Sequence, residues 1–142
     1  MRNRQEENMN AKRMQTMLNE TAYYDSKVLD LQVRFSGDEV TIWYEAEGDD
    51  CWQVEFLFCH QLEYQYKTDV DWRKLPDVKK MDREQLNGYV QDIQVRDSEI
   101  AGFCDVRLDL NVMELFVRCK DVALKKVKEN DTAFFWRENE VW

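Results

Sequence analysis

Residues 51–67, CWQVEFLFCHQLEYQYK, decide the fold class. Trp52, Val54, Phe56, Phe58, His60, Leu62, Tyr64 and Tyr66 share one parity, and all but the histidine are apolar or aromatic. The other parity, from Cys51 through Gln53, Glu55, Leu57, Cys59, Gln61, Glu63 and Gln65 to Lys67, is mostly polar. A period of two over this length marks a strand with one buried and one wet face. At about 3.3 Å per residue the stretch would span on the order of 50 Å, enough to bend and serve two sheet regions. It reads as the central strand on which the rest of the chain folds.

Upstream the same period recurs. Leu29, Leu31, Val33 and Phe35 alternate with Asp30, Gln32 and Arg34. Ser36-Gly37-Asp38 is a turn signal, and Val40, Ile42 and Tyr44 then share a face against Thr41, Trp43 and Glu45. With the turn Glu47-Gly48-Asp49-Asp50, residues 27–67 read as a three-stranded antiparallel meander. Before it, Ala11, Met14, Met17 and Leu18 fall at helical spacing, which predicts a helix over about Asn10–Asn19 with a frayed start, lightly docked on a sheet.

Downstream, residues 68–86 break the alternation. Pro76 stops regular structure, and Asp77 is placed to cap a short helix through Leu86. This connection carries Arg73, Lys74, Lys79, Lys80 and Arg83, the main basic surface. Strands resume at Gly88. Tyr89, Ile93 and Val95 form one face, as do Ile100, Gly102, Cys104, Val106, Leu108 and Leu110, then Met113, Leu115, Val117 and Cys119. Val122, Leu124 and Val127 make a last strand, edged by Lys120, Lys125, Lys126 and Lys128, which discourage pairing with other chains. The tail Ala133-Phe134-Phe135-Trp136 is too apolar to be left free. The expected fold is mainly β (α+β). It comprises about seven to eight antiparallel strands in a meander or sandwich, an N-terminal helix and one irregular crossover, with a closed barrel as the rival. One domain over 1–142 suits the length.

Charge narrows the function classes. The chain carries a net charge of -9, and residues 1–71 hold seven Lys+Arg against fifteen Asp+Glu. Asp38, Glu39, Glu45, Glu47, Asp49, Asp50 and Glu55 crowd residues 38–55 with no base among them. Such a field repels nucleic acid and anionic membranes and attracts a basic partner. No apolar run is long enough for a transmembrane helix, and the first twenty residues have no apolar core of a secretory signal, so the chain reads as cytoplasmic. In that compartment Cys51, Cys59, Cys104 and Cys119 are expected as reduced thiols.

Candidate chemistry is sparse. His60, the single histidine, falls by parity between Phe58 and Leu62 as a core or core-edge residue, and Cys59 beside it points to the opposite face. Cys51 and Cys59 are about 26 Å apart along a strand, with no metal-ligand spacing, so neither metal nor cofactor is expected. The turn 47–50 lacks the ligand ladder of a calcium loop. No nucleophile elbow, phosphate loop or dinucleotide fingerprint occurs, so an enzyme is not expected. Trp43 falls by parity on the wet face, unless the N-terminal helix covers that face; Leu57 and Phe103 also point outward.

An exposed aromatic in an acidic field suits a protein-binding protein. The reading is a small acidic binding protein that occludes a basic partner through Trp43, Glu45, Glu47, Asp49, Asp50 and Glu55. Its concrete form is an immunity protein against a nuclease or another cationic toxin. The alternatives are a decoy whose carboxylates imitate DNA, which needs a long regular acidic stripe, and a carrier of a small apolar ligand with an interior lined by Phe56, Phe58, Tyr64 and Tyr66.

Overall fold

Eight antiparallel strands form two four-stranded sheets: β1 (Val28–Arg34), β2 (Glu39–Glu45), β3 (Asp50–Leu57), β4 (Gln61–Tyr66), β5 (Asp92–Asp97), β6 (Cys104–Asp109), β7 (Met113–Cys119) and β8 (Asp121–Lys128). The sheet orders are β1-β2-β3-β8 and β4-β7-β6-β5. The computed structural model describes residues 9–67 and 77–139. The frayed start before residue 9, the bases Arg73 and Lys74, and the Pro76 break lie outside the described residues.

The stretch 51–67 does serve both sheets, as β3 and then β4. Its partner is equally long. Asp50 faces Lys128 and Leu57 faces Asp121, then Gln61 faces Arg118 and Tyr66 faces Met113. The ladder continues across the bend, where the His60 amide donates to the Arg118 carbonyl at 2.8 Å and the Lys120 amide to the Leu57 carbonyl at 3.1 Å. One bent two-stranded ribbon thus nucleates two sheets. Only Lys120 separates β7 from β8, so the ribbon carries β8 out of the second meander and places it beside β3. The last strand thus leaves the strands that follow the connection and joins the first sheet.

The bend also corrects the parity. Phe58 sits at φ 56°, a left-handed turn that ends the alternation begun at Trp52. Phe58 is 56% exposed, and His60 is exposed rather than in the core. In β1 a bulge between Val28 and Asp30 has a similar effect. It sends Leu29 to the outer face of the first sheet, while Leu31 stays with the inner core.

Between the sheets pack Val40, Ile42, Tyr44, Val54 and Phe56 from one side and Val106, Leu108, Leu115 and Val117 from the other. Each such burial stabilises by about 1.5–3 kcal/mol. The helix α1 (Ala11–Asn19) starts at an Asn10 cap whose side chain accepts from the Arg13 amide at 2.9 Å. It docks firmly rather than lightly, packing on β5 and β8 with Met14 and Leu18 fully buried. Gln15 covers the backbone edge of β5: its amide nitrogen donates to the Ile93 carbonyl and its oxygen accepts from the Val95 amide, both at 2.8 Å. The Tyr44 hydroxyl meets Thr21 Oγ1 at 2.7 Å, and burial pushes the phenol's pKa up.

The connection after residue 77 holds two 3-10 turns, Val78–Lys80 and Arg83–Gln85, in place of one helix. Asp77 does cap the first, accepting from the Lys79 amide at 3.0 Å. Met81 then extends the chain to bury its side chain, and Asp82 starts the second turn with a capping box to Gln85.

Across β6 and β7, Arg118 binds Asp105 with two parallel bonds of 2.8 and 3.1 Å. The Arg118 bond holds the Asp105 carboxyl below its ordinary 3.8. A lowered folded-state pKa adds stability above the unfolded value that is lost as pH falls through the folded one. Asp105→Asn is therefore expected to flatten the acid limb. Urea midpoints of wild type and variant should converge as pH drops from about 5 to about 2, and parallel curves would refute the assignment.

Candidate partner-binding surface

The acid-rich segment 38–55 is a hairpin, and the hairpin separates its charges. Glu39 pairs with Leu57 at one end and Glu45 with Cys51 at the other. At about 3.3 Å per residue the ends lie about 20 Å apart. Asp38 and Glu39 are at the bend end of the molecule, and Glu47, Asp49 and Asp50 are at the other. No continuous acidic stripe results, which removes the feature a DNA decoy requires.

The predicted residues divide into three environments. Glu47 and Asp49 are exposed and have no ion pair among the described residues, on a turn made possible by Gly48 at φ 59°. Asp50 binds Lys128 at 2.9 Å across the strand pair. Glu45 is tied to Arg83, which also holds Glu129 at 3.1 Å; these bonds, Glu129's first, raise the Arg83 pKa. Glu55 is 9% exposed, accepting from Gln53 Nε2 at 2.9 Å with Lys125 at 3.4 Å. Glu45 and Glu55 are thus engaged within the fold.

Trp43 requires correction. It lies on the outer face as its parity predicts, yet it is only 4% exposed. The C-terminal tail covers it, not the N-terminal helix. Its indole donates to Gln53 Oε1 at 3.0 Å, and its ring meets Phe134 edge-on at 5.7 Å. Phe134 stacks on Trp136 at 5.1 Å, forming a second core with Leu29 and Cys51. A helix that plugs the gap between β5 and β8 is not available for this face, and the apolar tail takes its place.

The aromatics that do reach solvent are others. Phe35 and Phe58 are 65% and 56% exposed, and Tyr64 is 65% exposed. Of the four aromatics predicted to line a ligand cavity, only Phe56 is buried; Phe58, Tyr64 and Tyr66 point outward. Three exposed rings cannot line an interior, so a carrier of that design is not supported. An apolar groove of about 320 Å³ runs along the β1 edge, walled by Val28, Leu31, Met81, Leu86, Leu110 and Met113. Asp30 lines it too, its pKa raised by burial against bonds from Gln32 and the Leu31 amide.

The four cysteines are free thiols. Burial, with smaller contributions from nearby carboxylates, pushes Cys51 and Cys59 up to about 11. Such thiols stay protonated at neutral pH. Cys59 Sγ donates to the Phe56 carbonyl at 3.3 Å, while His60 rests on Phe103 with ring centroids 5.6 Å apart. Among the described residues no three His, Cys, Asp or Glu side chains converge as a metal site, and no helix is long and apolar enough to cross a membrane.

Sequence reasoning missed Phe35 and Phe58 as surface groups because both carry the parity of the buried face. The available signal was their position beside chain breaks: Phe35 precedes Ser36-Gly37, and Phe58 precedes the polar interruption Cys59-His60.

An uncharacterized protein from Neisseria gonorrhoeae, known from a crystal structure, has a similar fold, with a TM-score of 0.51 at 9% identity over 74% of this chain and 94% of that one. No curated protein matches the sequence. The sequence profile of immunity protein PIM7 matches residues 10–126, from the cap of α1 into β8. That span takes in β1 to β7, most of β8 and most of the chain, and the chain belongs to the PIM7 immunity-protein family.

Proposed function

We propose that this chain neutralises a basic toxin domain, such as a nuclease, by binding and occluding it in the cytoplasm. The observation that carries the reading is the family match over residues 10–126. The net charge of -9 supports a cationic partner. Glu47 and Asp49 are the carboxylates left to steer it, because Glu45, Asp50 and Glu55 already face cations of this chain. Steering acts on the encounter and is screened by salt, so its loss appears in association rates. Inhibition requires no group that turns over a substrate.

The test starts from cells that make the toxin. The chain is used to capture its partner at low and at high salt, and the captured protein is expressed with and without the chain. Relief of growth arrest is the expected outcome; a chain that relieves no arrest overturns the reading. With the partner in hand, Glu47→Gln with Asp49→Asn is expected to slow association about tenfold at low salt and to flatten its salt dependence. Glu45→Gln should instead reduce stability and leave association nearly unchanged. Equal association rates for wild type and the Glu47/Asp49 pair would take steering away from this turn.

A further inference from the structure

We infer that Phe35 and Phe58 are the apolar anchors by which this chain grips its toxin, with Asp38 and Glu39 as their acidic rim. The inference rests on the immunity reading and adds the contact surface to it. Three observations meet at this end of the molecule. First, both rings are more than half exposed, at 65% and 56%. Second, both residues hold positive φ, 54° and 56°. The other non-glycine residues in that region among the described residues are Ala22, Asp25, Ser36 and Asn111, all small or polar. A bulky side chain there is strained, and glycine would make either turn at lower cost. Third, the two loops are stitched together: the Asp38 amide donates to the Phe35 carbonyl at 3.1 Å, and the Cys59 amide to the Asp38 carbonyl at 2.9 Å.

Strain that exposes apolar surface works against folding twice. Loops held in this way do suit a binding site, where backbone ordered in advance costs little further entropy on association. Aromatic groups ringed by polar residues are the usual centre of a protein interface. Arg34 lies over the Phe35 ring at 5.1 Å and Lys120 over Phe103 at 5.2 Å, so each neighbouring base is engaged while Asp38 stays exposed. The partner that fits has apolar pockets edged by Lys or Arg. A second copy of this chain fits poorly, since it brings the same acidic rim and a charge of -9. The steering turn lies about 20 Å away along β2, within the breadth of one standard interface.

The test uses the full chain and the toxin domain whose growth arrest the wild type relieves. Phe35→Ala with Phe58→Ala is expected to speed dissociation at least about 100-fold and abolish relief, with association changed by less than about threefold. A second variant, Phe35→Asn with Phe58→Asn, tests the strain without any toxin. Its melting temperature should equal or exceed that of the wild type, because asparagine tolerates positive φ and little burial is lost. A melting temperature lower by several degrees would show that the rings hold the fold, overturning the inference. Unchanged dissociation would overturn it while leaving the functional reading intact. A solution dimer that the Ala pair dissolves would assign the surface to a second copy instead. A wild-type chain that relieves no arrest removes the functional reading, and this inference with it.

Discussion

Trp136→Ala is expected to lower stability by about 3–5 kcal/mol, the range for deleting a large buried aromatic. Trp136 is fully buried, although it lies beyond the span of the family match. Its indole N–H donates to the Leu29 carbonyl at 2.8 Å, at the β1 bulge. Its ring stacks on Phe134, and the Arg137 guanidinium lies over it at 5.0 Å. Alanine removes the stack and leaves a buried carbonyl without its donor. Because Phe134 in turn covers Trp43, the loss opens the outer face of the first sheet. Two readouts follow. The urea midpoint should fall steeply, and the Cys51 thiol, buried and pushed up to about 11, should become accessible to thiol reagents. Trp136→Phe keeps a stacking ring but loses the bond and part of the ring volume, so it should cost about 1–3 kcal/mol, less than alanine. A loss below about 1 kcal/mol for alanine would mean the tail rests on the sheet without stabilising it, contrary to the burial seen.

The course of this tail shows where sequence reading succeeds and where it ends. Alternation marks the strands as seven runs, with β3 and β4 read as one, because a half-buried strand needs period two whatever lies opposite it. It also showed that the stretch 51–67 could supply two sheets. It did not locate the bend, since the left-handed turn at Phe58 needs no glycine to announce it. Past such a turn parity loses meaning, which is why the pattern puts Phe58 on the buried face and His60 in the core or at its edge, while both stand in solvent. Trp43 fails for a different reason. Parity gave its face correctly, but which segment covers a face depends on contacts distant in sequence, here with Phe134 ninety-one residues on. The acid cluster was legible as composition and not as geometry: a hairpin carries neighbouring charges to opposite ends, and cross-strand lysines of β8 engage others.

Arg83→Ala is expected to cost about 2 kcal/mol, between the fully buried and the surface ion-pair cases. The Arg83 guanidinium bridges Glu45 at the end of β2 and Glu129 just beyond β8, and the Arg83 carbonyl accepts from Lys27 Nζ at 3.0 Å. One side chain thus ties the crossover connection, the first sheet and the start of the tail. The Glu129 side chain is 12% exposed. Without the arginine its carboxylate stays in that setting, close to Glu45, with nothing opposite. Arg83→Met keeps the aliphatic stem and should lose less than alanine, so the difference between the two separates packing from charge. Glu129→Gln added to Arg83→Met should recover part of the loss, because it removes a buried charge left without a partner. Toxin association gives the opposite readout. Arg83→Ala removes a cation from the acidic end and frees Glu45, so association at low salt should stay equal or rise slightly. Slower association at full stability would place Arg83 in the interface and not in the frame. A loss of stability with association preserved would assign Glu45, the one predicted contact tied to this arginine, to holding the fold.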